Sequence, residues 1–192
     1  KGSDVTQLET GEVIKVVEQF VHPEDDIRAL FLEHPASVVP RPVALGVDDA
    51  PPAEALFVGF GTIDVQGTVG YGRKRYVRLP ITSLGCENAT DAKRYGCRQG
   101  RELVAGAPGL GRGPSRGDSG TPVYVPGPDG AYLLLALTLR GARGGFAEAG
   151  DGEICVRVDK ALDWLRSIAG DDPEYRVTTV GGPLEADAPG KM

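Results

Sequence analysis

Glycine and proline interrupt this chain every few residues, 28 and 15 times in 192, and that punctuation favours an all-β barrel or sandwich over a bundle of helices. Between the breaks lie short runs rich in β-branched and aromatic residues. Glu12 to Val21, Asp26 to Leu32, Val43 to Leu45, Ala55 to Gly61, Tyr76 to Leu84, Glu102 to Ala105, Thr121 to Val125 and Tyr132 to Leu139 read as strands. The last is apolar throughout, which predicts burial on both faces. Pro35 to Pro52, Gly67 to Arg75, Cys86 to Gly100 and Ala142 to Gly152 read as loops or turns. Val158, Leu162, Leu165 and Ile168 repeat at helical spacing behind Asp159, a plausible N-cap, and predict one amphipathic helix. Beyond Val180 a mobile tail is expected.

With 41% hydrophobic and 25% charged residues the chain can bury a substantial core. A net charge of −6 and dispersed Lys and Arg argue against nucleic acid as a partner. No run reaches the length needed to cross a bilayer, and no metal cluster or cofactor motif follows from three cysteines and two histidines. Cys86 and Cys97 close a short loop suited to one disulfide, which leaves Cys155 as a buried free thiol. This cysteine usage and the acidic pI near 5.0 fit either secretion or a prokaryotic cytoplasmic post.

Ser119 stands in Arg-Gly-Asp-Ser-Gly-Thr-Pro, between the glycine-rich stretch Gly106 to Gly113 and a strand. Glycine on either side lets a carbonyl approach the amides around Ser119, as an oxyanion hole requires, so the serine can be a nucleophile. Three other segments stand in matching order: Asp26 to Leu30 (Asp-Ile-Arg-Ala-Leu), Phe57 to Gly61 (Phe-Val-Gly-Phe-Gly) and Ile154 to Leu165. Together they resemble the trypsin/chymotrypsin-like serine proteases over nearly the whole chain. The resemblance implies two six-stranded Greek-key antiparallel barrels with a C-terminal helix. Residues 1–47 would be the remainder of a first, incomplete barrel and its linker, 48–169 the second barrel with the helix, and 170–192 an extension.

The resemblance also implies roles. Ser119 attacks the scissile bond of a polypeptide substrate, the Gly117 and Ser119 N–H groups form the oxyanion hole, and Asp26 orients the catalytic histidine, with Asp25 as a one-residue alternative. Asp118 pairs with an α-amino group created by activation cleavage. Gly113, Pro114, Leu139, Arg140, Gly141 and Glu153 line the primary pocket. Gly113 stands where trypsin-type enzymes carry an aspartate, and Ser115 occupies the place of one of two cysteines that brace the pocket. Glu153 on the opposite wall is then the carboxylate available to Arg or Lys of a substrate.

Neither His22 nor His34 matches the triad histidine, which belongs to a segment several strands upstream of Asp26. A serine hydroxyl needs a base to become a nucleophile. We therefore expect Lys1 to be an internal start, with the histidine carried by an N-terminal fragment that remains associated as a separate chain. The alternative is a catalytically inactive pseudoprotease that binds protein.

Overall fold

The computed structural model describes residues 4–6, 11–64, 66–127, 130–142, 151–170 and 179–180. The elements in order are β1 (Asp4–Thr6), β2 (Val13–Val21), β3 (Arg28–Leu32), β4 (Val43–Ala44), β5 (Glu54–Gly59), β6 (Arg75–Ser83), α1 (Ala89–Tyr95), β7 (Glu102–Gly106), β8 (Pro122–Pro126), β9 (Tyr132–Gly141), β10 (Gly152–Arg157), α2 (Leu162–Ala169) and β11 (Thr179–Val180). Strands β10, β7, β6, β5, β8 and β9 are neighbours in that order, every pair antiparallel. Because β10 also pairs with β9, from Glu153 opposite Gly141 to Arg157 opposite Ala136, the six strands close into a barrel. A separate antiparallel sheet takes the order β1, β2, β3.

Alternation along the strands fills the barrel. Leu133, Leu135 and Ala136 of β9 meet Phe57, Leu79, Leu103, Ala105, Val123 and Cys155 in one core. The outward residues Leu134 and Leu137 are covered too, against Val43, Val158 and Leu162, so β9 is sheltered on both faces as its apolar run predicts. Cys86 and Cys97 form a disulfide and Cys155 is a buried free thiol.

Two local expectations change. Cys86 to Gly100 is not all turn: it holds α1, whose N-cap Asn88 accepts from Asp91 N–H and whose C-cap is Gly96. The N-cap asparagine and closing glycine were legible; the polar composition between them masked a helix of only 7 residues. Asp159 does not cap α2, which begins after a single 3₁₀ turn with no side-chain cap. Its carboxylate instead accepts from Arg157 Nε at 2.9 Å and Nη2 at 2.6 Å.

Arg157 is 1% exposed and also donates to Asp48 at 2.6 Å. Hydrogen bonding from Arg157, opposed by partial burial, brings the Asp48 carboxyl down to about 2. Asp48 is half exposed, but the Asp159 side chain is only 10% exposed, so deleting the guanidinium strands the Asp159 carboxylate. Arg157→Met is therefore expected to destabilise the fold by about 3 kcal/mol in denaturant titrations, the midpoint falling with little change in slope.

The small sheet meets the barrel side through few contacts. Asp25 is 4% exposed and accepts from Arg101 Nε at 2.8 Å and Nη2 at 2.5 Å, with Arg98 at 3.1 Å. His22 packs edge-on against Trp164 of α2, ring centroids 4.9 Å apart, and Ile27 joins Val156 and Ala161. By contrast Val13, Val17, Val21 and Leu30 of the same sheet stay 45–61% exposed.

Candidate active site

The serine turn is fixed from three directions. Asp118 N–H donates to Ser115 O at 3.0 Å and Thr121 N–H to Asp118 O at 2.9 Å, closing the turn on itself. Gly120 N–H donates to Thr138 O and Thr138 N–H to Thr121 O, locking it to β9. Thr62 N–H donates to Arg116 O, tying its entry to the chain leaving β5. Of the other amides of the turn, those of Arg116, Gly117 and Ser119 have no acceptor among the described residues, and the last two flank the bonded Asp118 amide. Gly117 has φ +91°, a left-handed conformation that a side chain resists, and an added Cβ would meet the Tyr71 ring at 2.9 Å. The Ser119 side chain is exposed and its hydroxyl makes no hydrogen bond among the described residues.

The Asp118 carboxylate turns inward. Its Oδ1 accepts from Gly61 N–H at 2.8 Å and its Oδ2 from Ser115 N–H at 2.9 Å. Gly59 is what lets it in: a Cβ there would sit 2.1 Å from Asp118 Oδ1. The sequence reading reserves this carboxylate for a new α-amino group; here two backbone amides hold it.

Beside the turn opens a cavity of about 990 Å³. It is lined by Gly113 and Pro114 on the approach to the turn, by Asp118 and Ser119 themselves, by Leu139, Arg140 and Gly141 of β9, and by Glu153 of β10. Glu153 is 8% exposed and has no hydrogen-bond partner among the described residues. Burial first, then the negative charge of Asp118, push its carboxyl up to about 8 against the pull of Arg140. The Arg140 guanidinium is itself committed to Glu102, at 2.8 and 3.0 Å, and to Gly96 O at 2.9 Å. What the cavity offers a guest is thus a carboxyl with no fixed hydrogen-bond donor.

Asp26 does not line this cavity. It is exposed and its side chain has no partner among the described residues, whereas its neighbour Asp25 is saturated by Arg101 and Arg98. Burial raises the Asp25 carboxyl and the arginines more than offset it, leaving it below its ordinary range. His22 is 8% exposed, and its Nδ1 accepts from Asp25 N–H at 2.9 Å and Glu24 N–H at 3.2 Å, the arrangement of a structural histidine. His34 is exposed, its ring Nδ1 3.1 Å from Pro35 O. Neither histidine touches Ser119. Sequence reasoning also missed Gly61 and Asp151, the latter 1% exposed, whose carboxylate takes amides from the loop leading to the serine. No local signal could have found them, since their partners are 57, 42 and 40 positions away.

A closed six-stranded antiparallel barrel with a second sheet and a C-terminal helix, carrying an exposed serine in a glycine-flanked turn, is a trypsin-like fold. A family model described as Trypsin matches residues 2–165, and the chain belongs to that family. It is 28% identical over 171 residues to the serine proteinase stubble of Drosophila melanogaster, an alignment covering 82% of this chain and 21% of that protein. The chain therefore spans about a fifth of that relative's length.

Proposed function

We propose that this chain is the larger part of a serine endopeptidase that hydrolyses peptide bonds through an acyl-enzyme on Ser119. The observation that carries the reading is the pair of unbonded amides at Gly117 and Ser119, one on each side of the bonded Asp118 amide, beside an exposed hydroxyl. Two open amides flanking one residue at the serine are the donors an oxyanion requires. Asp26, free of partners, orients a histidine supplied from outside this chain. An N-terminal fragment of the same protease, held as a separate chain after processing, is the proposed source. The exposed Val13, Val17, Val21 and Leu30 of the small sheet support it, because further strands of a first barrel would cover apolar side chains there. Leu139 to Gly141 pairs an extended substrate by its backbone, and Glu153 receives Arg or Lys ahead of the scissile bond.

A fluorophosphonate probe tests the proposal on the native preparation. Stoichiometric labelling of Ser119, mapped by peptide mass spectrometry, with a histidine-bearing second polypeptide in the intact complex, is the expected result. The second reading, a pseudoprotease that binds protein, is favoured by one observation: His22 is occupied and His34 lies on the surface. An unlabelled serine in folded protein that is accompanied by no second polypeptide would establish it.

A further inference from the structure

We propose that Asp151 is a positioning residue that holds the two walls of the Ser119 cavity together, keeping the pocket shaped for a long substrate side chain; this rests on the endopeptidase reading above. One wall is the chain leading from β7 to the serine turn, which contributes Gly111, Gly113 and Pro114. The other is the start of β10, which contributes Gly152 and Glu153. Asp151 stands just before β10 and reaches across: Oδ2 accepts from Gly109 N–H at 3.0 Å and Oδ1 from Gly111 N–H at 2.9 Å.

The wall's other anchor is Leu110, which packs against the barrel core, so the backbone on either side of it relies on Asp151 for its polar contacts. Residues 107–114 belong to no strand, and within them the backbone bonds itself once, Leu110 N–H to Ala107 O at 3.3 Å. The chain's disulfide lies elsewhere, at Cys86 and Cys97, and Ser115 cannot form a covalent brace. A buried carboxylate accepting two backbone amides supplies charge-assisted bonds about twice as strong as neutral ones. It also fixes the distance between the glycine-rich loop and Glu153, two residues along. A substrate side chain long enough to reach Glu153 must pass between these walls. A short one need not, and that difference separates positioning from mere stability.

The test compares Asp151→Ala and Asp151→Asn with the parent in the active preparation. Amide hydrogen exchange at residues 107–113 reads the wall directly. In Asp151→Ala, exchange at Gly109 and Gly111 should quicken about tenfold or more, and KM for a peptide with Arg before the scissile bond should rise by a similar factor. Meanwhile kcat, and kcat/KM for the matched Ala peptide, should stay within about twofold. Asp151→Asn, which keeps one acceptor oxygen, should recover part of the loss, and it decides the matter if the alanine variant does not fold. Unchanged exchange at both amides, or an Ala peptide that suffers as much as the Arg peptide, overturns the proposal. Benzamidine calorimetry on the parent keeps the two readings apart. A parent that binds no benzamidine counts against the cation pocket, while the exchange result still decides the brace.

Discussion

Ser119→Ala should abolish peptide hydrolysis, lowering kcat by at least about 10⁴-fold, while the melting temperature moves by no more than about 1 °C. The two halves of that expectation come from the same geometry. Because the hydroxyl is exposed and makes no hydrogen bond among the described residues, removing it costs the fold almost nothing. Because the Gly117 and Ser119 amides stay open in the variant, the only atom lost is the one proposed to attack. Kinetics and thermal scans on the purified variant check both. Turnover persisting after removal of any contaminating protease would take the nucleophile away from Ser119.

Glu153→Gln is the second large effect. Cleavage after Arg should fall by about 10²-fold or more in kcat/KM, the loss expected when a charge-assisted contact in a desolvated site is removed. The pH dependence is distinctive. With its carboxyl raised to about 8, Glu153 is largely protonated at neutrality, so preference for Arg over an uncharged side chain should strengthen as pH rises through that region. The charges that set it are Asp118 on the serine turn and Arg140 on β9. Stability should run the other way. The unfolded chain gives up this proton near the ordinary glutamate value while the folded one keeps it until about 8, so stability declines between those two pH values. Glu153→Gln should flatten both profiles and stabilise the fold by about 1–3 kcal/mol above pH 8. A cleavage profile confined to small apolar residues would refute the role given to Glu153.

The elements most legible in the sequence were those whose signal is local. Strands β2, β5, β6, β8 and β9 follow from β-branched runs ended by glycine or proline, and the observed bounds differ from the expected ones by only a few residues. The serine turn was readable because its glycines and its nucleophile are neighbours. Helix α1 escaped because one short helix in a polar stretch looks like turn composition. Asp159 was assigned to a cap because the i,i+3 pattern cannot reveal that a buried arginine two residues earlier competes for the same carboxylate. The anchoring of Asp118 by Gly61, and of Asp151 by Gly109 and Gly111, depends on folding distant segments together, and no spacing rule reports it.

The barrel and the small sheet also differ in how they end. A ladder that returns to its first strand presents no free margin, whereas a three-stranded ribbon has two, and this one also carries exposed Val13, Val17 and Val21. Those margins are where a further strand would add by backbone pairing, so a tendency to self-associate would be governed by a few strands remote from the serine turn rather than by the barrel.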